Sequence, residues 1–198
     1  MKLRGLILIG FVLLLAVLGG SCVSMYNGLV TLDQAVDGQW AQVENAYQRR
    51  ADLVPNLVAT VKGAAAHERD TLEAVTRARA QVGSLQLGDI TKDPAALQRF
   101  QAAQDQLSSA LSRLLAVSEA YPQLKANENF LALQSQLEGT ENRIAVERQR
   151  FNEAEREFNT RRDTFPTVMF AGMLGDRFKT KSYFAATAGA AQAPKVEF

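Results

Sequence analysis

The chain has 198 residues, 22 of them Lys or Arg and 21 Asp or Glu, so its net charge is close to zero. Basic residues are scattered among acidic ones, and no field gathers nucleic acid, which is excluded as a partner. One cysteine and one histidine rule out an internal disulfide and leave too little for a Cys/His metal site.

The first element is an apolar run. Leu6 to Leu32 carries no charge, Lys2 and Arg4 stand just before it, and Asp33 and Asp37 are the first charges after it. Crossing a bilayer core of about 30 Å takes roughly 20 mostly apolar helical residues, and Leu6 to Met25 supplies them. The bias in Lys and Arg places the N-terminus in the cytoplasm and the bulk of the chain outside. A second reading is a cleaved signal with a lipid on Cys22, because Gly19-Gly20-Ser21-Cys22 is close to a bacterial lipoprotein signal. Leu18 lies four residues before that cysteine where the pattern wants an aliphatic at three, so the retained helix is favoured. Either reading puts the protein on a membrane.

The remaining residues, about 170, suit one domain. Their Ala, Gln, Glu, Leu and Arg-rich composition is helical. The first stripe at helical spacing is Leu29, Leu32, Val36, Trp40, Val43 and Tyr47, ending near Arg50. Pro55 then predicts a break, with Asp52 as cap of a second helix carrying Leu57, Val61, Ala65, Leu72, Val75 and Val82. Residues 83–93 read as a loop. Asp93-Pro94 is a cap followed by proline at a first turn, and opens a third helix with Leu97, Phe100, Gln104, Leu107, Leu111, Leu114, Ser118 and Tyr121; Pro122 ends it. The fourth runs from about Lys125 to Asp163, with Phe130, Leu137, Ile144, Phe151, Phe158 and Phe165 every seven residues. A strict seven-residue repeat keeps one seam on its partners through slight supercoiling.

The expected fold is all-α: an N-terminal transmembrane helix (1–25), then an up-and-down antiparallel four-helix bundle (26–165). The fourth helix then returns toward the lipid. Residues 166–184 follow as an apolar and aromatic-basic segment, with Phe170, Met173, Leu174, Arg177, Phe178, Lys179, Tyr183 and Phe184 as candidate membrane-interface residues. The competing expectation is that Phe165 to Leu174 folds back along the bundle and closes its core. Residues 185–198 read as a flexible tail, whose Val196 and Phe198 form a candidate docking element for a partner's sheet edge. Arg49 and Arg50 form a second candidate partner site, at the corner between the first two helices; compensation of the helix dipole is the plainer alternative.

No catalytic, cofactor or metal site is predicted. His67-Glu68 lacks the second histidine of a zinc motif, since Asp70 and Thr71 follow. The acidic and basic residues mixed from Glu138 to Glu157 read as a solvated face.

Several stretches resemble the LemA family. They are Tyr26-Asn-Gly-Leu-Val30, Trp40-Ala-Gln-Val-Glu-Asn45, the run from Tyr47-Gln-Arg-Arg50 through Val61-Lys-Gly63, Phe100 to Leu111, Leu137 to Ile144, and Phe165-Pro166. The resemblance covers essentially the chain after the anchor. It implies a membrane-anchored helical bundle and carries over no catalytic residue, since the family has no agreed biochemical function. One branch includes a magnetosome-membrane protein, which implies membrane organisation or remodelling. Some family members carry Gly-Cys directly before Tyr-Asn, whereas Cys22 lies three residues too early for that lipoprotein pattern.

The expected function is therefore a non-enzymatic, single-pass scaffold on the outer face of the cytoplasmic membrane. It would act through lipid contact or self-association, with the bilayer and protein partners or a homo-oligomer as its contacts. The alternatives are an adaptor for a membrane protease or chaperone, and an envelope lipoprotein with an unknown binding role.

Overall fold

The structure, a computed structural model, describes residues 2–65, 67–85 and 90–185, and all regular elements among them are helical. Six α-helices follow one another: α1 (Lys2–Ala64), α2 (Arg69–Gly83), α3 (Pro94–Val117), α4 (Pro122–Lys125), α5 (Glu128–Asp163) and α6 (Thr167–Met173). Single 3-10 turns lie at Ser118–Ala120 and Gly175–Phe178. The long helices α1, α2, α3 and α5 form the four-helix bundle, so the all-α class is as expected.

The first two helices differ from expectation. No break occurs at Pro55, and α1 is one helix of 63 residues, about 95 Å at 1.5 Å per residue. Proline inside a helix leaves the carbonyl four residues earlier without its donor. Here that carbonyl belongs to Ala51, and Arg79 of α2 donates its Nε–H to it at 3.1 Å. Pro55 itself faces solvent while Leu53, Val54 and Leu57 are buried around it. Asp52 is no cap; it accepts from Gln48 Nε2 one turn earlier. The reversal comes instead between Ala64 and Arg69, where Gln123 reaches back to the Ala64 carbonyl and Tyr121 donates to Glu68. Leu57, Val61 and Ala65 thus belong to the far end of α1, and only Leu72, Val75 and Val82 to α2.

The other boundaries follow local signals. Asp93 accepts from the Ala95 amide beside Pro94, and Asn127 accepts from the Phe130 amide to open α5. Phe130, Leu137, Ile144, Phe151 and Phe158 are buried as the seven-residue repeat requires. Phe165 is the exception: α5 ends at Asp163, and the ring stands 76% exposed.

The core falls into two clusters. The far one joins the end of α1 to α2, α3 and the start of α5 through Leu57, Val61, Val75, Leu107, Leu114 and Phe130. The near one holds Trp40, Tyr47, Phe100, Phe151 and Phe158, closed by Phe178 and Phe184 from beyond α6. In this near half, α1 and α5 run side by side and the chain after α6 lies along them.

Candidate membrane interface and the C-terminal strap

Residues 6–23 of α1 are exposed over their whole circumference, in a helix long and apolar enough to cross a membrane. The helix first meets the rest of the protein just beyond. Tyr26 packs edge-on against Phe178, ring centroids 5.7 Å apart, and Leu29 is fully buried. The end of α5, α6 and Phe178 therefore lie at the level where α1 leaves its apolar stretch.

At this level α6 is apolar on both sides. Thr167 and Ala171 face inward, while Val168, Met169 and Met173 face out beside the bare ring of Phe165. Met173 is 86% exposed. Arg161, Arg177 and Lys179 lie exposed around this patch, and Lys179 pairs with Asp176 at 3.1 Å. Exposed apolar residues clustered this way mark a contact surface.

The predicted interface residues divide between two roles. Met173, Arg177, Lys179 and Tyr183 are exposed, and Phe170 and Leu174 half-buried. Phe178 and Phe184 are instead buried in the near core, so they are not interface residues. Phe184 stacks on Trp40 and meets Phe151 edge-on. Val168 and Met169 belong to the apolar stretch expected here without being among the named interface residues, and Phe165, expected in the seam, lies past the end of its helix.

Residues 179–185 form an extended strap across the near core, tied down by amide side chains. Asn159 donates to the Lys181 carbonyl at 3.0 Å and accepts from its amide at 2.9 Å. Asn152 clamps Phe184 the same way, at 3.3 and 2.9 Å. Gln101 of α3 does so at Ala185, whose carbonyl also accepts from Arg148 at 3.1 Å. Under the strap the Lys181 ammonium lies 2.7 Å from Asp33 Oδ1 and 5.3 Å from the centre of the Phe158 ring. Both partners of that ion pair are almost entirely shielded from water. Glu155 is buried with no hydrogen-bond partner for either carboxylate oxygen. Burial pushes its carboxyl up to about 8, with the Lys181 charge pulling the other way. No periodicity announces this cluster; the available signal is Asn152 and Asn159, two amides seven residues apart in a charged helix.

The arginine corner is corrected in part. Arg50 is buried at 1% exposure, in mid-helix rather than at a helix end. It donates to Ser108 Oγ at 2.6 Å and Glu141 Oε1 at 2.7 Å, and to the side chain of Gln104. It lies over the Tyr47 ring as well. This side chain ties α1 to α3 and α5 and is not available to a partner. Arg49 is exposed and reaches Gln136 Oε1 at 3.4 Å. Val196 and Phe198 lie outside the described residues. Cys22 is exposed on the apolar part of α1.

The chain is similar to the magnetosome protein MamQ of Magnetospirillum gryphiswaldense, 26% identical over 80% of this chain and 64% of that protein. It is similar also to the magnetosome proteins MamQ 1 and MamQ 2 of Paramagnetospirillum magneticum, each 28% identical over 80% of this chain and 64% of theirs. The chain thus spans slightly less than two thirds of the length of these relatives. With the bare apolar half of α1, this likeness makes it a membrane-associated protein. The LemA family model matches residues 39–198, from the Trp40 seam through the strap and beyond, and the chain belongs to that family.

Proposed function

We propose that this protein is a single-pass scaffold whose bundle stands on the outer face of the cytoplasmic membrane and touches that membrane a second time through α6. Lys2 and Arg4, before the apolar run, keep the N-terminus inside. The observation that carries the reading is the doubly apolar α6, held by the Tyr26–Phe178 contact at the point where α1 leaves its apolar stretch. Phe165, Val168, Met169 and Met173 enter the boundary between headgroups and acyl chains, and the basic residues around them meet anionic headgroups. Two membrane contacts fix the tilt of a long bundle relative to the bilayer. Copies held this way present the same faces to one another, which suits self-association and organisation of the membrane, and the likeness to magnetosome proteins is in keeping with that role.

Liposome flotation of residues 26–198, which include every core side chain, tests this. The fragment should float with vesicles containing phosphatidylglycerol, and the Met169→Asp/Met173→Asp variant should stay at the bottom with its helical signal unchanged. No flotation at any lipid composition, together with a strictly monomeric full-length protein, overturns the reading.

A further inference from the structure

We propose that the trough holding residues 178–185 takes the same segment, with its aromatic-x-x-lysine-x-x-aromatic pattern, from a second copy of the chain. The proposal rests on the scaffold reading only in that it supplies the means of self-association.

The strap is held as a bound peptide is held. Residues 179–185 belong to no helix or strand, and bundle side chains fix their backbone. The three amides, Asn159, Asn152 and Gln101, each grip both the N–H and the C=O of one strap residue. Such bonds read an extended backbone and its direction, whatever its sequence.

Sequence is read by the anchors. Phe178, Lys181 and Phe184 are buried every third residue, the spacing of an extended helix with three residues per turn. Lys179 between them has φ −66° and ψ 150°. The trough offers Trp40, Phe151 and Phe158 to rings, and Asp33 to a cation. The buried Asp33 carboxylate, 2.7 Å from the ammonium, favours a positive residue in the middle position. No other lysine of the chain follows an aromatic residue by three positions.

The segment is joined to α5 by a short stretch with a natural pivot. Gly175 has φ +56°, a left-handed conformation that glycine adopts at no cost. With α6 kept helical, the linking residues 164–177 reach at most about 34 Å, beyond the thickness of two packed helices, about 20–24 Å. Copies anchored in one membrane carry their troughs at one height, which raises the effective concentration of one strap at its neighbour's trough. Reciprocal exchange then replaces each internal contact by the same contact between copies.

The test uses full-length copies in detergent, all with Cys22→Ser and carrying two different tags. One has Gln101→Cys and the other Ala185→Cys, positions in contact across the clamp, so a disulfide between tags needs the strap of one copy in the trough of the other. A disulfide-linked heterodimer is expected, reduced at least tenfold when Phe184→Ala is added to the donor strap. No heterodimer, or one indifferent to Phe184→Ala, overturns the proposal.

A charge exchange gives a second test. Asp33→Lys and Lys181→Glu each mismatch their own trough and should expose the strap to chymotrypsin. Mixed after partial denaturation, the two variants should form a protected complex, because each strap fits the other's trough. No complex in the mixture, while the double variant alone is protected like the native chain, overturns exchange. Neither readout involves phospholipid, so failure of the α6 contact in flotation leaves both intact.

Discussion

Arg50 carries its charge into the middle of the bundle, where Ser108, Gln104 and Glu141 accept from it and Tyr47 faces it. Burying an ion is costly unless its donors are met, and truncating it leaves Gln104 without its strongest partner. Arg50→Ala should lower stability by about 2–4 kcal/mol. Arg50→Lys should recover only part, since an ammonium cannot span acceptors on two helices at once. Chemical unfolding followed by circular dichroism measures both, and equal loss in the two variants would show that the fork geometry is irrelevant.

Glu155 makes the opposite prediction, a carboxyl whose burial is unfavourable. Its folded value of about 8 lies well above the ordinary carboxyl value of 4.5. The stability it contributes is fully present below pH 4.5 and is lost as pH rises through about 8. Asp33 and Lys181 face the same space, 2.7 Å apart. Between these limits stability should fall by at most about 1.4 kcal/mol per pH unit. Glu155→Gln should flatten the profile while leaving the fold intact. A slope unchanged by that substitution would place the titration elsewhere.

At the scale of the element, α1 shows how a tertiary contact overrides a local signal. Read alone, Asp-Leu-Val-Pro at 52–55 is a helix start, because the missing amide and the lost carbonyl partner both favour one. Arg79 removes the second reason by bonding to the Ala51 carbonyl from α2. That contact spans a reversal of the chain and no local pattern encodes it. Arg79→Ala should therefore cost about 0.5–1 kcal/mol in the native chain, and almost nothing beside Pro55→Ala, where the helical amide bonds to Ala51 itself. A double-mutant cycle reads the coupling; additive effects would mean that Arg79 does not serve the proline. The strap was hidden for a related reason. Phe178 and Phe184 read as interfacial aromatics because their receptors, Tyr26 and Phe158 for the one and Trp40, Phe151 and Asn152 for the other, are remote in sequence. By contrast, Asp93-Pro94 and the seven-residue series of α5 were legible because capping and seam packing are local and periodic.

For the whole molecule, the continuity of α1 matters most. The helix that leaves the apolar stretch is the one that carries Leu29, Trp40, Tyr47 and Leu57 into both core clusters. On the proposed reading, any tilt of the anchor is passed to the bundle, and α6 resists it from the other side. Cleavage before Cys22 would remove the rigid half of this arrangement and leave a flexible acyl tether beside α6. Cys22 lies within α1, four residues before Tyr26 contacts Phe178. The retained-anchor reading predicts that protein purified from membranes keeps residues 2–21, has no acyl mass on Cys22, and offers that thiol to a maleimide in detergent. Intact mass with peptide mapping decides it. A polypeptide beginning at an acylated Cys22 would leave α6 as the sole contact that orients the bundle, and the Met169→Asp/Met173→Asp variant would then free the bundle to swing on its lipid. With the helix retained, the same variant should weaken lipid contact while the anchor still limits the bundle's tilt. Cysteine accessibility along α5 in nanodiscs separates the two: a sharp boundary between shielded and open positions marks the anchored helix, and uniform labelling marks the acyl tether.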